Sequence, residues 1–315
     1  MARITIIGTG YVGTSIGLAL KAQKTEAEIV GHDADYGKSS AAKKLGALDR
    51  AEWNLPAALE GAALVIVATP LAAIERLFSL MAEFLAPGCV VTDTASLKGP
   101  VLGWAQTYLT GRVSYVGGNP IVADAGITRK PSATIFQNKT YCIVSPPTAT
   151  DKAIDQVIRF VTTLGAVPLF LDPVEHDSHV AVVGQLPMIL ASTLMTVAAA
   201  NPAWRDGQRL AGPSFGTATA LALTNPAEQQ AQLRANRETV LRWIYALRAE
   251  LGEVARMLEN ETAEDLTKAL AAAQDHRARW EPGLGPEMDV TAPELPRARD
   301  QFSSFFLGKL GNRQK

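Results

Sequence analysis

Apolar and polar positions change rhythm once along this chain. Up to about residue 170, short β-branched apolar runs alternate with stretches of helical period. Arg3 to Ile7, Glu28 to His32, Leu64 to Ala68, Val90 to Asp93, Ser114 to Gly117, Thr140 to Val144 and Val167 to Leu171 read as strands. Stretches such as Ser15 to Ala22 and Ala72 to Phe84 read as helices between them. This alternation predicts βαβ units and an α/β, doubly wound, mostly parallel sheet of the Rossmann type. After Pro173 the strand-like runs stop, and His176 to Ala200, Pro226 to Leu258 and Thr262 to Arg279 predict an all-helical second part. The expected division is therefore residues 1–172 as the α/β domain and 173–279 as the helical domain. Residues 280–315 form an extended tail rich in Pro, Gly and acidic side chains, with a short amphipathic helix over Phe302 to Leu310. No internal repeat is visible.

Composition narrows the range of partners. The 315 residues are 47% hydrophobic and 19% charged, with 30 Lys plus Arg against 31 Asp plus Glu, a formal charge of -1. Such a chain buries a core instead of remaining disordered, and its length suits about two domains. Near-neutral charge supplies no basic field for nucleic acid or an anionic membrane, which leaves a small molecule as the expected partner. Cys89 and Cys142 are too few for a disulfide framework and lack metal-type spacing, so they read as reduced core thiols in a cytoplasmic protein. The uncharged stretch Val180 to Ala200 approaches membrane-spanning length, but Gly184, Gln185 and Pro187 interrupt it and no basic cluster flanks it. It reads as a buried helix at a domain or subunit interface.

Directly after the first predicted strand comes Gly8-Thr9-Gly10-Tyr11-Val12-Gly13, opening a helix that contains Ser15 and Gly17. Glycines there permit a tight turn and let the backbone approach a pyrophosphate, whose charge meets free N–H groups and the positive end of the helix dipole. The second strand ends at Asp33, about twenty residues beyond the last glycine, the separation at which a carboxylate accepts hydrogen bonds from an adenosine ribose. These features predict a dinucleotide-binding domain over 1–172. A carboxylate repels a 2′-phosphate, so NAD is favoured over NADP, although Lys38 lies close enough in sequence to reach a phosphate. Thr69 and Pro70, where a further strand ends, are candidate cofactor contacts or a plain strand-ending turn.

Further landmarks follow in order: Thr92-Asp93-Thr94-Ala95-Ser96-Leu97-Lys98-Gly99, then Gly117-Gly118-Asn119-Pro120, then Glu175-His176-Asp177 leading into Gly184-Gln185-Leu186-Pro187-Met188. Taken together they resemble the prephenate and arogenate dehydrogenase family of tyrosine biosynthesis, over most of the chain up to about Leu258. The resemblance implies a Rossmann domain followed by a helical domain that binds substrate and forms a homodimer. It also implies oxidation of a cyclohexadienol by hydride transfer to a nicotinamide, with loss of carbon dioxide. In that family the base is a histidine in a Gly-Gly-His-Pro motif, and the matching residue here is Asn119, which cannot accept a proton at neutral pH. A histidine lining the family's substrate pocket matches Gln185, and an arginine that grips a substrate carboxylate matches Ala220. Losing a buried charged contact of that kind costs on the order of 2–5 kcal/mol of binding.

Ser96, Asn119 and Lys98 are thus the candidate catalytic residues, and Ser96, Asn119 and Gln185 the candidate substrate contacts. Ser96 can hydrogen-bond a hydroxyl; Lys98 orients a carboxylate or relays a proton, or is a surface lysine at a helix start. Asp124 is a further candidate base or an exposed loop acid. His176 and His179 read as capping or packing residues with no metal role, Glu175 and Asp177 as first-turn acids, and His276 as solvated. Three functions remain open: the family reaction, oxidation or reduction of another small hydroxy or keto compound, and nucleotide binding without turnover.

Overall fold

A computed structural model describes residues 2–109, 111, 113–122, 130–260 and 263–280. The α/β part runs β1 (Arg3–Ile7), α1 (Tyr11–Ala22), β2 (Glu28–His32), α2 (Tyr36–Lys44), β3 (Arg50–Ala51), α3 (Leu55–Leu59), β4 (Ala62–Val67), α4 (Leu71–Met81), β5 (Val90–Asp93), α5 (Gly99–Tyr108), β6 (Ser114–Tyr115), β7 (Gly117–Pro120), β8 (Thr140–Val144), α6 (Asp151–Thr163) and β9 (Val167–Phe170). A six-stranded sheet has the order β3-β2-β1-β4-β5-β6, parallel throughout. Apolar clusters cover both faces, and β1 shows why its run is continuous: Ile6 enters one cluster with Ile16, Ile29 and Phe160, and Ile7 the other with Val65, Val67 and Phe78.

The last predicted strands do not extend that sheet. The run Ser114 to Gly117 splits into β6 and β7, and β7-β8-β9 form a separate three-stranded sheet in which β7 and β8 are antiparallel. The cause is local. β7 crosses directly over the end of β5, where a Cβ on Gly118 would lie 2.6 Å from the Asp93 carbonyl oxygen and 2.7 Å from the Tyr141 ring. Pro120 then removes a ladder donor. Only a chain without side chains at Gly118 can turn there.

The helical part contains α7 (Pro173–Val180), a π-helical turn (Ala181–Gln185), α8 (Leu186–Ala199), α9 (Trp204–Gly207), α10 (Pro213–Thr219), α11 (Pro226–Ala235), α12 (Arg237–Glu259) and α13 (Ala263–Arg279). Asp172 caps α7 by accepting from the backbone N–H of Val174 at 2.8 Å. Pro187 lacks the N–H that would reach the Val183 carbonyl, and the widened turn lies immediately before it. The predicted helix from Pro226 to Leu258 is two helices, broken at Asn236, whose amide donates to the Asp177 carbonyl and to Gln185 Oε1, both at 2.9 Å. From α7 to α8 the helix is long and apolar enough to cross a membrane. The sequence reads it as buried at a domain or subunit interface; within the single chain Val183, Leu190, Leu194 and Val197 are exposed.

The two parts are joined by carboxylates at helix starts. Asp177 on α7 accepts from the backbone N–H groups of Lys98 at 2.7 Å and Gly99 at 2.8 Å, where α5 has no cap of its own. Its expected role toward the dipole of its own helix is thus corrected: it serves the helix of the other domain. Glu228 on α11 accepts from Leu71 N at the start of α4. Asp177→Ala is expected to lower unfolding free energy by about 2–3 kcal/mol, since it removes a cap and strands the buried partners. Urea unfolding followed by circular dichroism measures this, and a loss below about 0.5 kcal/mol would remove the cap from any part in domain docking.

Candidate active site

The glycine loop lies between the carboxyl ends of β1 and β4, where the strand order reverses and α/β sheets open a crevice. Gly8 has φ +90°, and a Cβ on it would sit 2.4 Å from the Ala68 carbonyl oxygen. A Cβ on Gly13 would lie 1.9 Å from the Gly8 carbonyl oxygen, which fixes the packing of α1 on the turn. Gly10 faces open space, with nothing within 4 Å of its Cβ position, and α1 begins there without a side-chain cap. Its first N–H groups, from Tyr11, Val12 and Gly13, therefore lack a capping acceptor of their own. Asp33 Oδ2 accepts from the Thr9 backbone N–H at 2.8 Å and its hydroxyl at 3.3 Å, and Oδ1 accepts from Asp35 N at 3.0 Å. The Thr69 hydroxyl is buried without a hydrogen-bond partner at the neighbouring strand end, and Pro70 beside it is exposed. An open glycine, an uncapped helix start, a carboxylate at the second strand end and an orphaned hydroxyl fit a dinucleotide.

Behind β7 lies a buried charge network. Lys98 has no exposed surface; its ammonium donates to Asp93 Oδ2 and the Gly118 carbonyl, both at 2.5 Å. Asp93 Oδ2 also accepts from Ala95 N, and Oδ1 accepts from the Tyr115 hydroxyl at 2.7 Å and Gly118 N at 3.1 Å. Every acceptor of this carboxylate is engaged, the condition under which a buried pair is tolerated. Burial lowers the Lys98 ammonium from its ordinary value and Asp93 opposes that shift, whereas burial and Asp93 together hold the Tyr115 phenol well above its own. Lys98 is therefore neither a surface lysine nor poised toward a substrate: it ties the end of β5 to the backbone of Gly118. Ser96 is half-buried on the loop between β5 and α5.

Asn119 follows Gly118 on β7 and is buried. Its Nδ2 lies 3.0 Å from His176 Nε2, and His176 Nδ1 lies 2.8 Å from Asp177 Oδ1. His176 is 1% exposed, so the packing role expected for it is replaced by a specific bridge from the helical domain to Asn119. Nothing local signals this contact, which spans 57 residues and needs both domains docked. Gln185 is buried, but its amide is taken: Nε2 donates to the Gln232 carbonyl at 3.1 Å and Oε1 accepts from Asn236. It pins α11 and α12 to the π-helical turn in place of the substrate contact assigned from the sequence. Ala220 is half-buried after α10. His179 is exposed, 3.6 Å from Glu175, and His276 is exposed. Asp124 and the segment 281–315 lie outside the described residues. Among the described residues no cluster of three His, Cys, Asp or Glu side chains has metal-site geometry.

The family model described as prephenate dehydrogenase, nucleotide-binding domain matches residues 16–169, and that described as prephenate dehydrogenase, dimerization domain matches residues 172–272. A prephenate dehydrogenase of Bacillus subtilis is 29% identical over 286 residues, covering 87% of this chain and 75% of that protein. Another, of Lactococcus lactis, is 27% identical over 312 residues, covering 96% of this chain and 82% of that one. Among solved structures, prephenate dehydrogenase from A. aeolicus, in complex with hydroxyphenyl propionate and NAD+, superposes with a TM-score of 0.81 at 23% identity, covering 88% of this chain and 98% of that one. With the two family models together matching residues 16–169 and 172–272 and the α/β and helical parts in the corresponding order, this chain belongs to the prephenate dehydrogenase family of oxidoreductases.

Proposed function

We propose that this chain is an NAD-dependent dehydrogenase that oxidises the ring hydroxyl of a cyclohexadienol of the prephenate or arogenate type. The ring carboxylate leaves as carbon dioxide when the ring becomes aromatic. What supports this reading is the glycine turn at the β1/β4 strand-order reversal together with Asn119 one residue past Gly118, which is held at the end of β5. Gly8, Thr9, Gly10, Tyr11, Val12 and Gly13 are the residues for the pyrophosphate, Asp33 for the adenosine ribose, and Thr69 and Pro70 for the inner part of the cofactor. NAD, when bound, supplies the hydride acceptor. Asp33 favours NAD over NADP, since a 2′-phosphate would face a carboxylate, and Lys38 is exposed beyond it on α2.

Asn119 holds the hydroxyl of the substrate by hydrogen bonding, assisted by Ser96, and because neither side chain takes up a proton at neutral pH the hydroxyl proton is released to solvent water as the hydride leaves. Lys98 stands behind them as a support for Gly118. A second reading, a less anionic hydroxy or keto substrate, is favoured by the absence of positive charge at Asn119, Gln185 and Ala220 and by the engagement of the Gln185 amide in the protein. The domain division at 172/173, a cytoplasmic setting and a homodimer belong to the same proposal. The exposed apolar face of α8, with Leu190, Leu194 and Val197, supports pairing through the helical domain.

Purified protein is expected to reduce NAD in the presence of arogenate or prephenate, with NADP at least about tenfold less effective, as read by absorbance of the reduced nicotinamide. Nucleotide binding by calorimetry without turnover of either compound would replace this reading with a binding protein. Gly13→Ala places a methyl group against the Gly8 carbonyl and is expected to weaken NAD binding by at least about tenfold, or about 1.4 kcal/mol. Unchanged affinity in that variant would move the cofactor away from the glycine loop. Leu194→Glu with Val197→Glu is expected to give a monomer by light scattering; a dimer of unchanged dissociation constant would place the interface elsewhere.

A further inference from the structure

The imidazole of His176 is bonded at both nitrogens, and the chemistry of the partners fixes how. Asp177 Oδ1, 2.8 Å from Nδ1, can only accept, so Nδ1 carries hydrogen. In the neutral ring Nε2 is then a lone pair, and Asn119 must offer it an N–H across 3.0 Å. A proton on Nε2 makes that contact donor against donor. It becomes favourable again only when the Asn119 carboxamide turns over and presents Oδ1 to the ring. The charge on His176 and the face of Asn119 are thus locked together, and both residues are almost completely enclosed.

We propose that His176 is a positioning residue that decides which amide atom Asn119 turns toward the substrate. With His176 neutral, Nδ2 is held by the imidazole and Oδ1 is left to accept a hydrogen bond from the substrate hydroxyl. With His176 protonated, Oδ1 is held and only N–H groups are left, which suit a carbonyl and repel a hydroxyl proton. The sign follows: alcohol oxidation is supported by the neutral imidazole and lost when the ring takes up a proton. This inference rests on the dehydrogenase reading for its catalytic consequence, but the His176–Asn119 linkage is independent of it.

Other titratable and charged groups lie around the pair. From its own helix comes Asp177, holding the N–H groups of Lys98, Gly99 and His176. Asp93 and Lys98 come from β5 and the loop after it, already paired. Tyr115 on β6 and Tyr141 on β8 have phenols raised by burial, and burial pushes the Cys142 thiol, paired in register with Asn119, up to about 11. Glu175 and His179 lie on the exposed side of α7, and Arg242 on α12 reaches Ser178, not the pair.

The test uses full-length protein with ¹⁵N-labelled histidine and asparagine, and needs no substrate. Long-range proton–nitrogen spectra are expected to show His176 as the Nδ1–H tautomer at high pH, with the Asn119 amide signals shifting at the same midpoint as the ring. His176→Gln supplies an acceptor that does not titrate, so the Asn119 signals should lose that step. An Nε2–H tautomer, or Asn119 signals that ignore the ring, overturns the proposal. In turnover with NAD, kcat/KM of the wild type should fall about tenfold per pH unit on the acid side at that midpoint. His176→Gln should hold its rate within about threefold across the same range, and His176→Phe should be slow at every pH. If His176→Gln keeps the acid limb, the proposal fails. If the spectra behave as expected and no compound turns over, the linkage stands and the dehydrogenase reading falls.

Discussion

The carboxylate of Asp177 is the interaction on which the rest of the site depends. One oxygen receives the Lys98 backbone N–H and the His176 ring, and the other receives Gly99 N. A helix start, an imidazole and the seam between two domains are thereby fixed by a single group. The ion has left water, and each donor offsets part of that cost. Because two of its donors are backbone groups of the α/β domain, the docking geometry is specified by hydrogen-bond direction as well as by apolar contact. The backbone carbonyl of Asp177 is used too, by Asn236 at the break between α11 and α12.

Beside it, the Lys98–Asp93 pair holds the crossing of β7 over β5. A buried ion pair is weak evidence for stability, since a well-packed apolar replacement often does as well. What this pair does is fix position: the ammonium binds the Gly118 carbonyl while the carboxylate binds the Gly118 N–H, so the residue before Asn119 is held from both sides. Glycine at 118 is then a requirement of space, because Asp93 and Tyr141 occupy the volume a side chain would need.

Much of this was legible in the sequence where short-range physics decides. The alternation of strand and helix gave the parallel sheet, and the spacing of Gly8, Gly10, Gly13 and Asp33 matches a turn at the strand-order reversal in which Asp33 accepts from Thr9. What escaped was set by long-range partners. Lys98 looks like a helix-start lysine until Asp93 and Gly118 close on it, and Gln185 looks like a pocket residue until Gln232 and Asn236 take its amide. His176 has no neighbour in sequence that announces Asn119. The split of β6 from β7 followed from steric crowding around Gly118, which an apolar pattern does not encode. The exposed face of α8 reads as buried by composition alone, since a run of Leu, Ala and Val looks the same whether its cover comes from its own chain or another.

The bridge from His176 to Asn119 also divides the molecule by heritable labour. The half that holds the nucleotide presents Asn119 but does not set its orientation; that instruction comes from α7, on the helical half. Substitutions around α7, the π-helical turn and Asn236 can therefore redirect the polarity offered to a substrate while the glycine loop and Asp33 stay unchanged. A lineage built this way can drift from one alcohol to another by editing the helical half, with the nucleotide half serving each descendant as it stands.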